Sequence, residues 1–426
     1  MEMLKKYAIY INNRSLLNGF FFSLFSFINQ GFLFLLMLVL ANYLVPSEYG
    51  YISLYSTVVM VVNLFVCLSM DGFLSVAYFK PGGKDNVGQV ISCTLYTSLT
   101  IIFLNFVVLL LFGESISARL YLPLHIILIT FVVSFFNVFF SIANNLNRIN
   151  GKVVAYGLMS CGKALSLCLL CICFIKYGML GWKGRPYADI ICAVGFGAPC
   201  ILLFMAKGYI GKVKVSYWKS ILAWRLPLLP HIATSFIKQG LDRYIINTSH
   251  SIYDVGIFCF ALNLTNIIIT IGVGFNQVNS IDIFKVLGDK QISNELKKET
   301  LQKQTKKIWL IYTFTSILVV ISCVVFVPLL LPNYSPSLYY FVILAFSGYA
   351  NCIYYLYCNY LFYFDKTKQL MYITFLSAII HLLLSLTLTR YSLYYTSIIY
   401  VLSQAIVTII VMIVSKKLLN KLNIMD

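Results

Sequence analysis

Four ionisable side chains interrupt an apolar segment near the middle of the chain. The segment reads LPLLPHIATSFIKQGLDRYIIN (Leu226–Asn247) and contains one histidine, one lysine, one aspartate and one arginine. A charge at membrane depth is costly unless it faces protein or water, so such residues normally mark a pathway or a buried partner. On a helix, the side chains that share one narrow arc are His231, Ser235, Lys238, Asp242 and Ser249. The pattern predicts a polar stripe along one membrane span, facing a hydrated cavity.

The composition is that of a membrane protein. The chain has 426 residues, of which 60% are hydrophobic and 11% charged, and its mean hydropathy is +0.86. A soluble domain could not wet such a surface. Apolar runs of about 20 residues predict spans at 15–44, 50–79, 88–112, 121–143, 153–176, 187–206, 226–248, 253–280, 308–331, 337–364, 369–389 and 393–415. The first run is too long for a signal-peptide core and is interpreted as a retained span.

Lysine and arginine in the loops predict the orientation. If the N-terminus is cytoplasmic, the inner loops hold most of the loop cations, and the outer loops hold only Arg119, Lys176, Lys183, Arg185 and Arg390. Positive charge accumulates on the cytoplasmic side of membrane proteins, which places both termini in the cytoplasm. This asymmetry accounts for most of the net charge of +18. The basic surface then faces anionic lipid headgroups, and no nucleic-acid partner is expected.

A short motif occurs twice, at equivalent places in the two halves of the chain. The copies are SEYGYISL (Ser47–Leu54) and YDVGIFCF (Tyr253–Phe260). Each has an acidic residue, Glu48 or Asp254, two positions before a glycine, Gly50 or Gly256. The acidic residue suits the first turn of a helix. The motif predicts a parallel repeat, as in several transporter folds; chance similarity between two short turns is the alternative.

The repeat suggests a division into domains. We expect an N-terminal six-helix bundle (1–206), a cytoplasmic linker (207–220) and a C-terminal six-helix bundle (221–426). Polar faces on other spans add to the stripe: Asn29 on span 1, Asp71 on span 2, and Asn263, Asn266, Thr270, Gly274 and Gln277 on span 8. Together they predict a central, water-accessible polar cavity between the bundles.

These residues also have simpler interpretations. Amides and hydroxyls within spans often hydrogen-bond to neighbouring helices. Lys238 and Asp242 are four residues apart and could neutralise each other as a structural pair. Arg243 lies about 100° away from the stripe and could face a neighbouring helix. His231 and His381 could be ordinary packing residues.

No catalytic or cofactor motif is present. The sequence contains no GxxxxGK[ST] phosphate loop, no GxSxG elbow and no spacing typical of a metal site, and its 12 cysteines fall in apolar runs. We therefore predict a transporter without metal or cofactor, driven by an ion gradient, by the membrane potential or by the gradient of its substrate. Asp71 and Asp242 are the candidate sites for a coupling ion.

Three segments resemble a known family. They are LANYLVPSEYGYISL (Leu40–Leu54), RLPLLPHIATSFIKQGLDRYIIN (Arg225–Asn247) and SIYDVGIFCFALNL (Ser251–Leu264). They are similar to signatures of Wzx-type bacterial polysaccharide-unit flippases, in the superfamily that includes multidrug and toxin extrusion transporters and lipid II flippases. The matching positions are Glu48, Gly50, Pro227, Pro230, His231, Asp242 and Arg243. Phe258 departs from the tyrosine that is usual in the family.

The resemblance implies a cargo. It is an oligosaccharide repeat unit on undecaprenyl diphosphate, moved by alternating access from the inner to the outer leaflet of the bacterial inner membrane, for O-antigen or capsule. Polysaccharide polymerase and chain-length regulator are the implied protein partners. From the stripe itself we infer that Lys238 contacts the diphosphate or an anionic sugar. The candidate substrate-binding residues are Lys238, Arg243, His231, Ser235, Asn29, Asn263, Asn266 and Gln277.

Two other functions compete with this one. A multidrug efflux antiporter of the same superfamily would export organic cations from a cavity rich in carboxylates, whereas here lysine and amides outnumber buried acids. An O-antigen polymerase or ligase typically has a large outer loop with catalytic residues. In this chain the longest hydrophilic stretch, 282–307, lies on the lysine-rich inner side and favours a helix.

Overall fold

The chain folds as a set of long helices. A computed structural model describes residues 2–67, 73–74, 78, 86–215, 218–219, 221, 223, 233–234, 236–289 and 293–421. The α-helices are α1 (Glu2–Tyr43), α2 (Pro46–Cys67), α3 (Val87–Leu120), α4 (Leu124–Ile149), α5 (Val153–Ile172), α6 (Gly184–Ala206), α7 (Leu241–Ser249), α8 (Ile252–Gly288), α9 (Asn294–Leu330), α10 (Ser337–Tyr363), α11 (Thr367–Leu388) and α12 (Leu393–Lys421). Short π-helical or 3-10 turns at Cys173–Tyr177, Gly181–Lys183, Phe236–Gly240 and Pro332–Tyr334 complete the regular structure in these ranges.

The helices have the length and composition of membrane spans. Within the described ranges, 11 helical segments are long and apolar enough to cross a bilayer. In hydrocarbon each backbone polar group must be satisfied inside its own segment, which a continuous helix achieves. The prediction of an all-helical, multi-pass membrane protein is confirmed. Much of the predicted seventh span lies outside the described residues, including Pro227, Pro230, His231 and Ser235, and so does Asp71 of the second span.

Helices α8 and α9 extend well beyond their apolar runs. Each contains 37 residues, or about 55 Å of helix, whereas the hydrocarbon core of a bilayer is about 30 Å thick. The lysine- and glutamate-rich stretch predicted to be helical forms the end of α8 and the start of α9. Two contacts join the extensions: the Lys297 ammonium donates to the Leu287 carbonyl at 3.2 Å, and the Gln304 amide donates to Asn279 at 2.8 Å.

The helices form two compact units. Unit 1 comprises Met1–Tyr43 and Leu54–Ile232, and unit 2 comprises Leu44–Ser53 and Ala233–Asp426. In unit 1, α1 packs along α5, and α4 along α6; in unit 2, α10 packs against both α8 and α12, and α11 against α12. The first turns of α2 thus pack with unit 2. The predicted division at residues 207–220 remains a prediction.

Within unit 2, the two copies of the repeated motif lie against each other. A Cβ atom on Gly256 would lie 1.7 Å from the Pro46 carbonyl oxygen, and one on Gly50 would lie 2.2 Å from the Ile252 carbonyl oxygen. Only glycine permits this backbone contact between the starts of α2 and α8. The glycines of the motif are therefore needed for packing.

The acidic residues of the motif lie in first turns, as predicted. The backbone N–H of Val45 donates to the Glu48 carboxylate at 3.4 Å. At the start of α8, the Ser251 hydroxyl donates to the Asp254 carboxylate at 2.6 Å and accepts from the Asp254 backbone N–H at 3.2 Å. These contacts satisfy N–H groups that a helix start leaves unpaired.

We expect Gly256→Ala to destabilise the protein by at least about 1–3 kcal/mol, because the added methyl group overlaps the Pro46 carbonyl. Gly274→Ala on the same helix is the matched control. A Cβ there meets nothing within 4 Å, and alanine favours helix by up to about 1 kcal/mol. Unfolding of both purified variants in detergent measures the difference. Equal stability of the two variants would contradict the close crossing.

Candidate functional site

The charged part of predicted span 7 begins in a turn that is wider than that of a regular α-helix. Residues Phe236–Gly240 form a π-helical turn, and α7 follows from Leu241. The wider turn leaves the Lys238 carbonyl oxygen accessible, and it accepts a hydrogen bond from the Tyr400 hydroxyl of α12. Turns of this type inside helices occur frequently at functional sites.

Asp242 lies at the centre of a buried polar cluster. We call Asp242, His381, Ser385 and Ser403 the Asp242 cluster. The Asp242 side chain is 1% exposed; one carboxylate oxygen contacts His381 Nε2 at 2.8 Å, and the other accepts from the Ser385 hydroxyl at 2.6 Å. A buried carboxylate needs such partners, since removal from water costs several kcal/mol.

His381 is held on both sides of its ring. Its Nδ1 lies 3.0 Å from the Ser403 hydroxyl, and the Tyr400 ring packs edge-on with the centroids 4.8 Å apart. The histidine is fully buried. The imidazole therefore bridges Asp242 and Ser403, and each carboxylate oxygen of Asp242 has a side-chain partner on α11.

Lys238 is not the partner of Asp242. The ion pairs among the described residues are Arg185–Asp189, Lys303–Glu299 and His381–Asp242. The possible Lys238–Asp242 pair does not form, because His381 and Ser385 of α11 already bind the carboxylate. Lys238 is half-buried, and its ammonium contacts no acidic side chain in the part of the chain that is described. The Lys238 ammonium is therefore a cation in a membrane-spanning region that is chemically able to bind an anion.

The Arg243 side chain binds a backbone carbonyl group. Its guanidinium donates to the Ser53 carbonyl oxygen at 2.7 Å, which ties α7 to the first turns of α2 within unit 2. This is the neighbouring-helix contact that its angular position allowed. A role for Arg243 in substrate binding stays a prediction.

The polar residues of α8 fall into two groups. The Asn263 amide donates to the Tyr49 hydroxyl at 2.7 Å, so this residue joins α8 to the start of α2. Asn266 and Gln277 are exposed instead. Lipid cannot satisfy an exposed amide, which favours water or a polar cargo at these two positions. In unit 1, Asn29 of α1 is half-buried, and its proposed contact with substrate is untested.

Unit 1 contains two satisfied polar pairs of its own. Arg185 donates to Asp189 at 2.9 Å, with the two side chains 19% and 15% exposed. The Lys163 ammonium donates to the Asn137 amide oxygen and lies 4.0 Å from the centroid of the Phe140 ring. These partners show how charges inside the helices of unit 1 are accommodated.

Sequence reasoning missed the partners of Asp242. The sequence alone favours His381 as a packing residue and does not point to Ser385 or Ser403. The available signal was the spacing of His381 and Ser385, four residues apart on an otherwise apolar helix. That spacing indicates a shared polar face but does not identify the helix opposite.

Comparison with known proteins identifies the fold. No protein-family model matches the chain. A protein of the Lsg locus of Haemophilus influenzae is 24% identical over 370 residues, which cover 84% of this chain and 87% of that protein. An inward-facing multidrug resistance MATE family transporter of the MOP superfamily matches with a TM-score of 0.72 at 13% identity, covering 94% of this chain and 95% of the other.

A second solved structure gives the same result. The lipid II flippase MurJ, in an inward closed conformation, matches with a TM-score of 0.73 at 13% identity, covering 95% of this chain and 90% of MurJ. The chain therefore shares the fold of these two structures, one of which belongs to the MOP superfamily. The expected all-helical, two-bundle fold is confirmed, and the resemblance is confirmed at the level of the fold. At this identity, the MOP-superfamily match alone does not define the cargo.

Proposed function

We propose that the protein is a flippase for undecaprenyl-diphosphate-linked oligosaccharides, the repeat units of O-antigen or capsule. The observation that carries the proposal is the half-buried Lys238 ammonium, which has no acidic partner in the described structure. A cation in a membrane-spanning helix is costly unless water or an anion accompanies it. In a transporter fold, an anionic cargo provides that compensation during each cycle.

The groups around the stripe match the chemistry of such a cargo. A lysine ammonium binds a diphosphate or an anionic sugar through charge-assisted hydrogen bonds. The exposed amides of Asn266 and Gln277 can donate to and accept from sugar hydroxyls. His231, Ser235, Asn29, Asn263 and Arg243 complete the proposed substrate-binding set. The polyprenyl tail needs no polar route and stays in the bilayer.

We further propose that the Asp242 cluster couples transport to an ion gradient. A proton shared by Asp242 and His381 removes one negative charge from the cluster. Because Lys238 precedes Asp242 by four residues, this change alters the field at its ammonium. Among the described residues, the other ionisable side chains near the cluster are Arg243, Tyr400 and Cys259. Asp71 remains a second candidate for ion coupling.

The proposed setting is the bacterial inner membrane, with both termini in the cytoplasm. The loop cations support this orientation. Polysaccharide polymerase and chain-length regulator are the proposed protein partners, since they would receive the flipped unit. We propose no catalytic role; the similarity to a MATE transporter and to a lipid II flippase supports transport instead.

Multidrug efflux is the second candidate function, and the match to a multidrug transporter supports it. Export of an organic cation requires an accessible carboxylate. Asp242 is buried and bound by His381 and Ser385, whereas Lys238 is partly exposed. This distribution of charge favours an anionic cargo over a cationic one.

We expect Lys238→Ala to reduce flipping of a fluorescent lipid-linked oligosaccharide in proteoliposomes by about tenfold or more, because one charge-assisted contact is lost. Lys238→Arg should retain most of the activity. Lys366→Ala, at an exposed position after α10, is the matched control. Wild-type flipping by Lys238→Ala would remove this residue from the site. Export of cationic dyes without flipping would support the multidrug alternative.

For Asp242→Asn, we expect slower flipping that no longer responds to a pH difference across the vesicle membrane, since the shared proton is lost. Wild-type protein should respond to that difference. Equal amounts of inserted protein must be verified for both. A variant that keeps the wild-type response to pH would show that the Asp242 cluster is structural.

A further inference from the structure

Unit 1 contains a polar cavity that the proposed transport site does not use. It has a volume of about 590 Å³, within the range of small-molecule sites. It lies at the end of the unit where α4 ends, α5 begins and α6 ends. None of the residues proposed to bind the cargo lines it.

Two lysines give the cavity its charge. Lys152 immediately precedes α5, and Lys207 immediately follows α6; both line the cavity. Among the described residues that line it, none is an aspartate or a glutamate. Neither lysine forms an ion pair in the portion of the chain that the structure describes. Two uncompensated ammonium groups at one concave site attract an anion with several oxygen acceptors.

The cavity lining is partly polar and partly apolar. The Tyr78 hydroxyl donates to the Asn150 amide oxygen at 2.8 Å, and the Asn150 amide donates to the Leu146 carbonyl at 2.8 Å. These contacts hold Asn150 in place. The apolar part, which we call the apolar side, includes Phe196, Pro199, Leu203 and Phe204 of α6. Such a site suits an amphiphile better than a free ion.

We propose that this cavity binds the headgroup of an anionic phospholipid. The lysines contact the phosphate, and the glycerol and upper acyl chains lie against the apolar side. Lysines at helix ends lie at the level of lipid headgroups. In the predicted orientation this end faces the cytoplasmic leaflet, which is rich in anionic lipid, and basic pockets between helices on that side bind such headgroups. The site is independent of the proposed cargo.

The test compares lipid binding by the full-length protein in neutral detergent. Phosphatidylglycerol or phosphatidylcholine is titrated, and bound lipid is counted by native mass spectrometry. We expect wild type to prefer phosphatidylglycerol, and Lys152→Gln/Lys207→Gln to weaken that binding by about tenfold or more. The matched control is Lys366→Gln/Lys368→Gln, which removes the same charge from exposed positions in unit 2 and should bind as wild type does.

A second variant tests the cavity without changing charge. Gly195 lines the cavity, and a Cβ there meets nothing within 4 Å. Gly195→Leu should therefore fold normally, fill the space and weaken phosphatidylglycerol binding. Unchanged binding by both cavity variants, or equal losses in the Lys366/Lys368 control, would overturn the proposal. Competition by millimolar inorganic phosphate alone would also overturn it, because the site would then bind a free anion.

Discussion

A charge inside a membrane-spanning helix must have a partner or face water, and this constraint accounts for the main features of the protein. Removal of an ion from water costs several kcal/mol that only a counter-charge, hydrogen bonds or solvent can offset. Asp242 meets the requirement through His381 and Ser385. In unit 1, Arg185 and Asp189 meet it through each other. Lys238 has no such partner in the described structure, so its ammonium is the charge that water or a cargo must compensate.

The neighbouring residues support this division between structural and functional groups. Arg243 binds a backbone carbonyl, and Asn263 binds a tyrosine, so both hold α2 against the rest of unit 2. The close contact of Gly50 and Gly256 with backbone carbonyls serves the same purpose. These motif residues therefore contribute to packing, whatever further contact Arg243 and Asn263 make with a cargo. Among the proposed substrate-binding residues that the structure describes, Lys238, Asn266 and Gln277 are the ones on which the proposal mainly depends.

Much of the fold could be predicted from the sequence because apolar run length determines where a helix can cross a bilayer. The run 337–364 corresponds to α10 (Ser337–Tyr363) almost residue for residue. The ends of α8 and α9 were harder to place, since their polar extensions leave the apolar runs. Contacts between helices could not be predicted. Asp242 and His381 are 139 residues apart, and helical periodicity shows which residues share a face, not which helix lies opposite.

The central claim is that Lys238 and the exposed amides of α8 face water rather than lipid or packed protein. Labelling of single cysteines in a cysteine-free background by a hydrophilic thiol reagent tests it most directly. The account predicts that Lys238→Cys and Asn266→Cys react, while Asp242→Cys, at a buried position, does not. Lys303→Cys in α9, where the Lys303 side chain is 77% exposed, serves as the positive control. Resistance of Lys238→Cys and Asn266→Cys to the reagent under all conditions, with Lys303→Cys reactive, would contradict the account.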